Sequence, residues 1–267
     1  MKIAIQERML PGASLAAKLD AAEQLGVEGV ELWGDADLYT RVAEYETALQ
    51  GRSVCISSVC GQAHFDWLDP DPAKRAVSLE ETRRNLEFCG HFGAAGHIVP
   101  PIFGPPRLPD LSPLHTAEEL ERELLAEIVR ELAPYAHARG TLLLLEPLNR
   151  YEQHLLRRQQ DGVDIIERAG APAGVALLSD FFHMHIEETD TPQALREAGK
   201  HVGHVHVADN TRQEPGTGDM DWRAGLQALE DIGFDGYLAF ESGVSGPDPL
   251  QSLRKAVHFL REILAAL

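Results

Sequence analysis

Four residues in the second half of the chain, Glu146, Asp180, His206 and Glu241, stand at or near the ends of short apolar runs. Glu146 follows four leucines in LLLLEPLNRYE (Leu142–Glu152), and Pro147 blocks extension of that run as a strand. Asp180 ends ALLSD (Ala176–Asp180), His206 lies in VGHVHV (Val202–Val207), and Glu241 ends YLAFE (Tyr237–Glu241). A carboxylate placed where a buried strand emerges is costly unless a positive group meets it. Taken singly, each acid reads equally well as a strand end solvated by loops. Four on successive strands do not. Three carboxylates and one imidazole form a hard, oxygen-rich donor set for one divalent cation, with Mn²⁺, Mg²⁺ or Co²⁺ favoured over Zn²⁺. Such a cation acts as a Lewis acid on a carbonyl and an adjacent hydroxyl, stabilising the enediolate formed when a proton leaves the neighbouring carbon. Glu146 and Glu241 are then the candidate acid/base pair, exchanging protons from opposite sides of a substrate.

These groups meet only if the strand ends converge, and the rest of the chain supplies a frame that does so. Strands are expected at Lys2–Gln6, Val30–Trp33, Ser53–Val59, His97–Pro101 and the leucine run, then at the three later runs. Between and after them, helical spacing covers Ser14–Leu25, Asp37–Leu49, Asp71–Phe92, Glu118–Arg139, Asp161–Ala169, Thr191–Ala198, Asp221–Ile232 and Pro249–Ala265. The alternation repeats about eight times without a linker, which implies parallel strands joined by right-handed crossovers. A doubly wound open sheet is the competitor. No GxGxxG follows the first strand and no GxxxxGK[ST] occurs, so its nucleotide-binding signals are missing. The expectation is an α/β fold, a (β/α)8 TIM barrel forming a single domain over residues 1–267, with the four candidates at its C-terminal face.

Composition narrows the partners. The chain is 44% hydrophobic and 25% charged, enough to bury a large core. Its 24 basic and 42 acidic residues give a net charge of −18, which repels nucleic-acid phosphates. No apolar run approaches the roughly 20 residues of a membrane-spanning helix, and MKIAIQERMLPGA reads as a first strand rather than a signal peptide. Cys55, Cys60 and Cys89 are odd in number and contain no CxxC, which suggests a reducing, cytoplasmic setting. In the loops, Glu152, His183 and Arg212 can reach over a barrel mouth to bind hydroxyls, or can serve as ordinary surface residues. Trp33 reads equally as a sugar-stacking platform or as rim packing, while His185, His201 and His204 read as structural or surface residues. Cys60 reads as a small buried residue rather than a nucleophile.

The stretches EPLNRYE (Glu146–Glu152), DFFHMHIEE (Asp180–Glu188), HVADNTRQEPGTG (His206–Gly218) and FESG (Phe240–Gly243) resemble the xylose isomerase-like barrel superfamily. Within it they are most similar to the sugar or sugar-phosphate isomerase/epimerase family, with ketose 3-epimerases and hydroxypyruvate isomerases as the nearest members. GVELWG (Gly29–Gly34) and SSVCG (Ser57–Gly61) extend the likeness toward the N-terminus. The resemblance implies one divalent metal on Glu146, Asp180, His206 and Glu241, with Glu146 and Glu241 as the acid/base pair. It also implies Glu152, His183 and Arg212 on the substrate, a small sugar, and a homo-oligomer. Two departures from the family pattern are Phe181, in place of a small polar residue, and the basic segment Arg157-Arg158-Gln159. The implied reaction is aldose–ketose isomerisation or ketose epimerisation. A lyase of the inosose-dehydratase type, or a barrel that only holds a sugar, uses the same scaffold. The endonuclease IV-like branch is disfavoured, because the loop EPGTGDMDW lacks the histidine its zinc cluster needs and the surface is acidic.

Overall fold

The computed structural model describes all 267 residues. Eight parallel strands close into a barrel in sequence order. They are β1 (Lys2–Gln6), β2 (Gly29–Trp33), β3 (Cys55–Cys60), β4 (Gly96–Val99), β5 (Leu142–Leu145), β6 (Val175–Asp180), β7 (Val202–Val207) and β8 (Tyr237–Phe240). Around them lie α1 (Leu15–Leu25), α2 (Val42–Leu49), α3 (Pro72–Phe92), α4 (Ala117–His137), α5 (Gln159–Arg168), α6 (Phe181–Glu187), α7 (Thr191–Ala198), α8 (Trp222–Asp231) and α9 (Pro249–Leu264). The expected (β/α)8 architecture is the observed one.

Local chemistry explains the helix ends. Asp71, Asp190 and Asp248 accept backbone N–H groups at the starts of α3, α7 and α9, and each of these helices has a proline in its first turn. Thr116 and Glu119 form a reciprocal capping box at α4, and Gly26 and Gly93 close α1 and α3 in the left-handed conformation. Two strands differ from expectation by more than one residue at an end. β4 stops at Val99 because Pro100 and Pro101 have no N–H to donate to the ladder, and β3 runs two residues later at its start than the β-branched pattern suggested. The sequence pattern assigns no element to 181–190, yet α6 forms there. Its start is held by Asp180 Oδ1, which accepts from the N–H groups of Phe182 (2.7 Å) and His183 (3.4 Å).

Two bulges shape the barrel interior. Between β2 and β3 the pairing passes from Val30–Ile56 to Glu31–Ser58, leaving Ser57 as an extra residue. Between β6 and β7 it passes from Leu177–Val202 to Leu178–His204, leaving Gly203 extra. A bulge re-aims the side chains that follow it. Here Ser58 and Cys60 on β3, and His204 and His206 on β7, all turn toward the barrel axis. Gly203 is required at its place, since a Cβ there would meet Ala176 Cβ at 2.6 Å and Leu144 Cδ2 at 3.0 Å. The interior is thereby divided. Ile98, Leu144, Ala176 and Leu178 pack with Cys60 on one side, whereas Gln6, Glu31, Ser58, His204 and His206 fill the other. The larger apolar core lies between barrel and helices.

Candidate metal centre and active site

The four residues singled out by type and position arrive at one point. Glu146 is the first residue after β5, Asp180 the last of β6, His206 the penultimate of β7, and Glu241 the first after β8. Their ligand atoms all lie within 4.8 Å of one another. His206 Nδ1 faces Glu241 Oε2 at 3.2 Å, Glu146 Oε1 at 3.7 Å and Asp180 Oδ2 at 3.8 Å. That nitrogen is buried and has no hydrogen-bond partner. An unpartnered ring nitrogen aimed among three carboxylate oxygens fits a cation, and the donor set, three hard oxygens and one imidazole, suits a divalent one.

The orientation of His206 is set from below by a residue that the sequence reading passed over. Glu31, in the middle of β2, is fully buried. Its Oε1 and Oε2 lie 3.0 and 3.1 Å from His206 Nε2, which therefore carries the hydrogen and leaves Nδ1 free to face the ligand set. Glu31 Oε2 also accepts from Ser58 Oγ (2.7 Å) and lies 3.2 Å from His204 Nε2. Burial alone would raise the Glu31 pKa, but His206 and His204 outweigh it and hold the carboxyl well below its usual range. His204 thus has a structural place, as its sequence reading suggested. The signal for Glu31 was present in the sequence: a charged residue inside the otherwise apolar strand GVELW.

Burial also opposes a charge on His206, yet Glu31 and Glu241 overcome this and raise its pKa well above the ordinary value. The two candidate proton-transfer groups are driven apart. Burial, helped by Glu241, raises the pKa of Glu146. For Glu241 burial acts in the same direction, but His206 and Arg212 prevail and lower it.

The loop residues also gather at the mouth. A cavity of about 190 Å³ is lined by Glu146, Glu241, Glu152, His183 and Arg212, with Trp33, Phe65 and Phe103 among its apolar walls. Larger clefts, of about 450 and 490 Å³, lie beside α6–α8 and against α3, and none of the four ligand candidates lines them. His183 Nδ1 accepts from the Asn149 N–H (3.2 Å) and from Asn149 Nδ2 (2.8 Å), so its hydrogen sits on Nε2, 3.7 Å from Asp180 Oδ2. Asn149 Nδ2 also donates to Glu152 (3.0 Å). Arg212 adopts a left-handed φ of 56°. It donates to Asp180 Oδ2 at 2.6 Å and also to Glu241 Oε2, with its guanidinium 4.7 Å above the Phe182 ring. Buried Asp209 organises the loop that carries Arg212, accepting from Gly216 N (2.9 Å) and Trp222 Nε1 (3.0 Å).

The remaining sequence candidates are also placed. Trp33 forms part of the cavity wall, with the Arg8 guanidinium 3.7 Å over its ring. Cys60 is buried, and its thiol pKa is raised by burial and then by Glu241. His185 is exposed, and His201 lies 3.5 Å from Glu167 on the outside. Phe181 packs flat against Trp222 at 5.2 Å, away from the ligand atoms. Arg157 and Arg158 stand outside the mouth, in a cleft with Arg150 and Glu187.

Comparison with known proteins gives consistent matches. The family model described as xylose isomerase-like TIM barrel matches residues 19–263. The 3-dehydro-D-guloside 4-epimerase of Escherichia coli (strain K12) is 30% identical over 264 residues, covering 98% of this chain and 99% of that protein. D-psicose 3-epimerase of Ruminiclostridium cellulolyticum is 40% identical over 119 residues, 45% of this chain and 40% of that one. Among solved structures, 3-keto-D-glucoside 4-epimerase from E. coli superposes with a TM-score of 0.88 at 29% identity, over 98% of this chain and 99% of that one.

Proposed function

The chain belongs to the xylose isomerase-like TIM barrel family, and from that premise we propose that it is a metal-dependent sugar epimerase that inverts a carbon beside a ketone. One observation carries this reading: Glu146 and Glu241 border one small cavity while His206 Nδ1, unpartnered, faces both of them and Asp180. Glu146, Asp180, His206 and Glu241 would hold a divalent cation, Mn²⁺, Mg²⁺ or Co²⁺ by donor type, which when bound polarises the ketone and its neighbouring hydroxyl.

The chain's own residues would do the rest. One glutamate takes the proton from the carbon beside the ketone, leaving an enediolate. The other, protonated, returns a proton to the opposite face, so the centre is inverted and the protonation of the pair is exchanged. His183 Nε2–H and Arg212 supply donors, and Glu152 an acceptor, for substrate oxygens.

The same features support a finer reading. Both named relatives invert the carbon next to the carbonyl, one in a keto-glycoside and one in a free ketose. The relative matched from end to end acts on a guloside, which favours a keto-glycoside here. The mouth carries Glu146, Glu152 and Glu241 against a single Arg212 already shared with Asp180, which favours an uncharged substrate over a phosphorylated one.

Deuterium incorporation from D₂O tests the reading. Mn²⁺-loaded protein is given keto-glycosides, free and phosphorylated ketoses, hydroxypyruvate and inosose, with NMR as the readout. Exchange at the carbon beside the ketone is expected, lost with EDTA and lost in a folded Glu241→Gln variant. A fully active Glu241→Gln protein removes Glu241 from proton transfer, and absence of exchange on every compound refutes the epimerase assignment.

A further inference from the structure

Gln6, the last residue of β1, is only 7% exposed, and its side chain reaches into the polar half of the barrel. Its Nε2 lies 3.3 Å from Glu31 Oε1 and 3.2 Å from Glu241 Oε1. Both neighbours are carboxylate oxygens, which only accept, so the amide must turn its nitrogen to them and spend one hydrogen on each. Glu241 is thus divided between two surroundings. Its Oε1 is held by Gln6 and by the Cys60 thiol at 3.7 Å, while its Oε2 accepts from Arg212 and faces His206 Nδ1.

This arrangement solves a particular electrostatic problem. Glu31 and Glu241 are two acids on adjacent sides of one buried histidine, and Glu31 is needed to orient that ring. A lysine between them would add a charge competing with a cation for the same carboxylates. A neutral amide satisfies both without doing so. The terminal torsion of a glutamate is otherwise broad, and nothing in the covalent chain fixes which oxygen turns inward.

We infer that Gln6 is a positioning residue for Glu241, a strut that ties one oxygen of this carboxylate to the Glu31–His206 pair and so presents the other to the ligand set. The inference rests on the reading of Glu146, Asp180, His206 and Glu241 as a metal centre. Gln6 touches none of the reacting atoms and acts only through Glu241.

The test is Gln6→Met, which keeps length and approximate volume but removes both donors. Mn²⁺ binding is titrated by loss of the free-ion EPR signal, and solvent exchange is measured on the substrate identified above. Removal of such a supporting partner typically weakens metal binding about 10–100-fold. We expect a loss of that order in Mn²⁺ affinity, and an exchange rate at saturation lowered about tenfold or more with KM within about threefold. Gln6→Asn, which keeps the amide but shortens its reach, is measured alongside by circular dichroism and Mn²⁺ titration, so that a misfolded methionine variant does not decide the matter; it should show a loss of the same kind. A folded variant with wild-type Mn²⁺ affinity, or one slowed only through KM, overturns the inference. Wild-type protein that binds no Mn²⁺ overturns the metal-centre reading and the inference with it.

Discussion

Glu31 accepts from Gln6, Ser58, His204 and His206 at once, so changing it disturbs four buried donors rather than one. Glu31→Gln keeps the shape but places an NH₂ group against the imidazole Nε2–H. The His206 ring then loses the partner that fixes which nitrogen faces the carboxylates. The expected result is a Mn²⁺ affinity about 10–100-fold weaker, read by calorimetric titration. Unchanged affinity would mean that packing alone orients the ring. The four ligand candidates were legible in the sequence because each stands against an apolar run that makes its polarity conspicuous. Glu31 was visible as a charge inside an apolar strand, but its role was not, since its partners come from strands 25 or more residues away. Gln6 was hidden for the same reason. An uncharged amide at a strand end announces nothing until its two acceptors are seen.

The elements themselves were mostly readable because local chemistry specifies them: aspartate caps with a following proline, glycine stops, and apolar runs of strand length. α6 escaped because its start depends on Asp180, a residue whose conspicuous feature is its position at the end of β6. The bulges at Ser57 and Gly203 escaped because a bulge is a property of two strands paired, not of one strand's pattern. Gly203 gives a direct test. Gly203→Val pushes three heavy atoms into the space held by Ala176 and Leu144 inside the barrel. Overpacking of this kind costs about 1–3 kcal/mol, and a domain of this size loses roughly 2–4 °C of melting temperature per kcal/mol. Scanning calorimetry should therefore show a drop of several degrees, and an unchanged transition would show that β7 relaxes around the added methyls.

For the molecule as a whole, a cation that binds the folded barrel and not the unfolded chain stabilises it by mass action. At 100 times the dissociation constant the gain is about 2.7 kcal/mol. EDTA-treated protein should melt roughly 5–10 °C below Mn²⁺-saturated protein, and Asp180→Asn should abolish most of the difference. A melting point indifferent to Mn²⁺ would contradict a site that closes four strands together. The bulge at Gly203 has one further consequence, for how such a chain can change. Side chains alternate between the two faces of a strand, so one residue decides which face everything beyond it occupies. With Val202 against the helices, a regular ladder in which Gly203 took the place opposite Leu178 would send His204 and His206 outward and Val205 inward. The barrel could still close, and in doing so it would discard its histidines. β7 is therefore not interchangeable with an unbulged strand from another barrel, and a graft that matched every ligand by type would fail by a single residue of count.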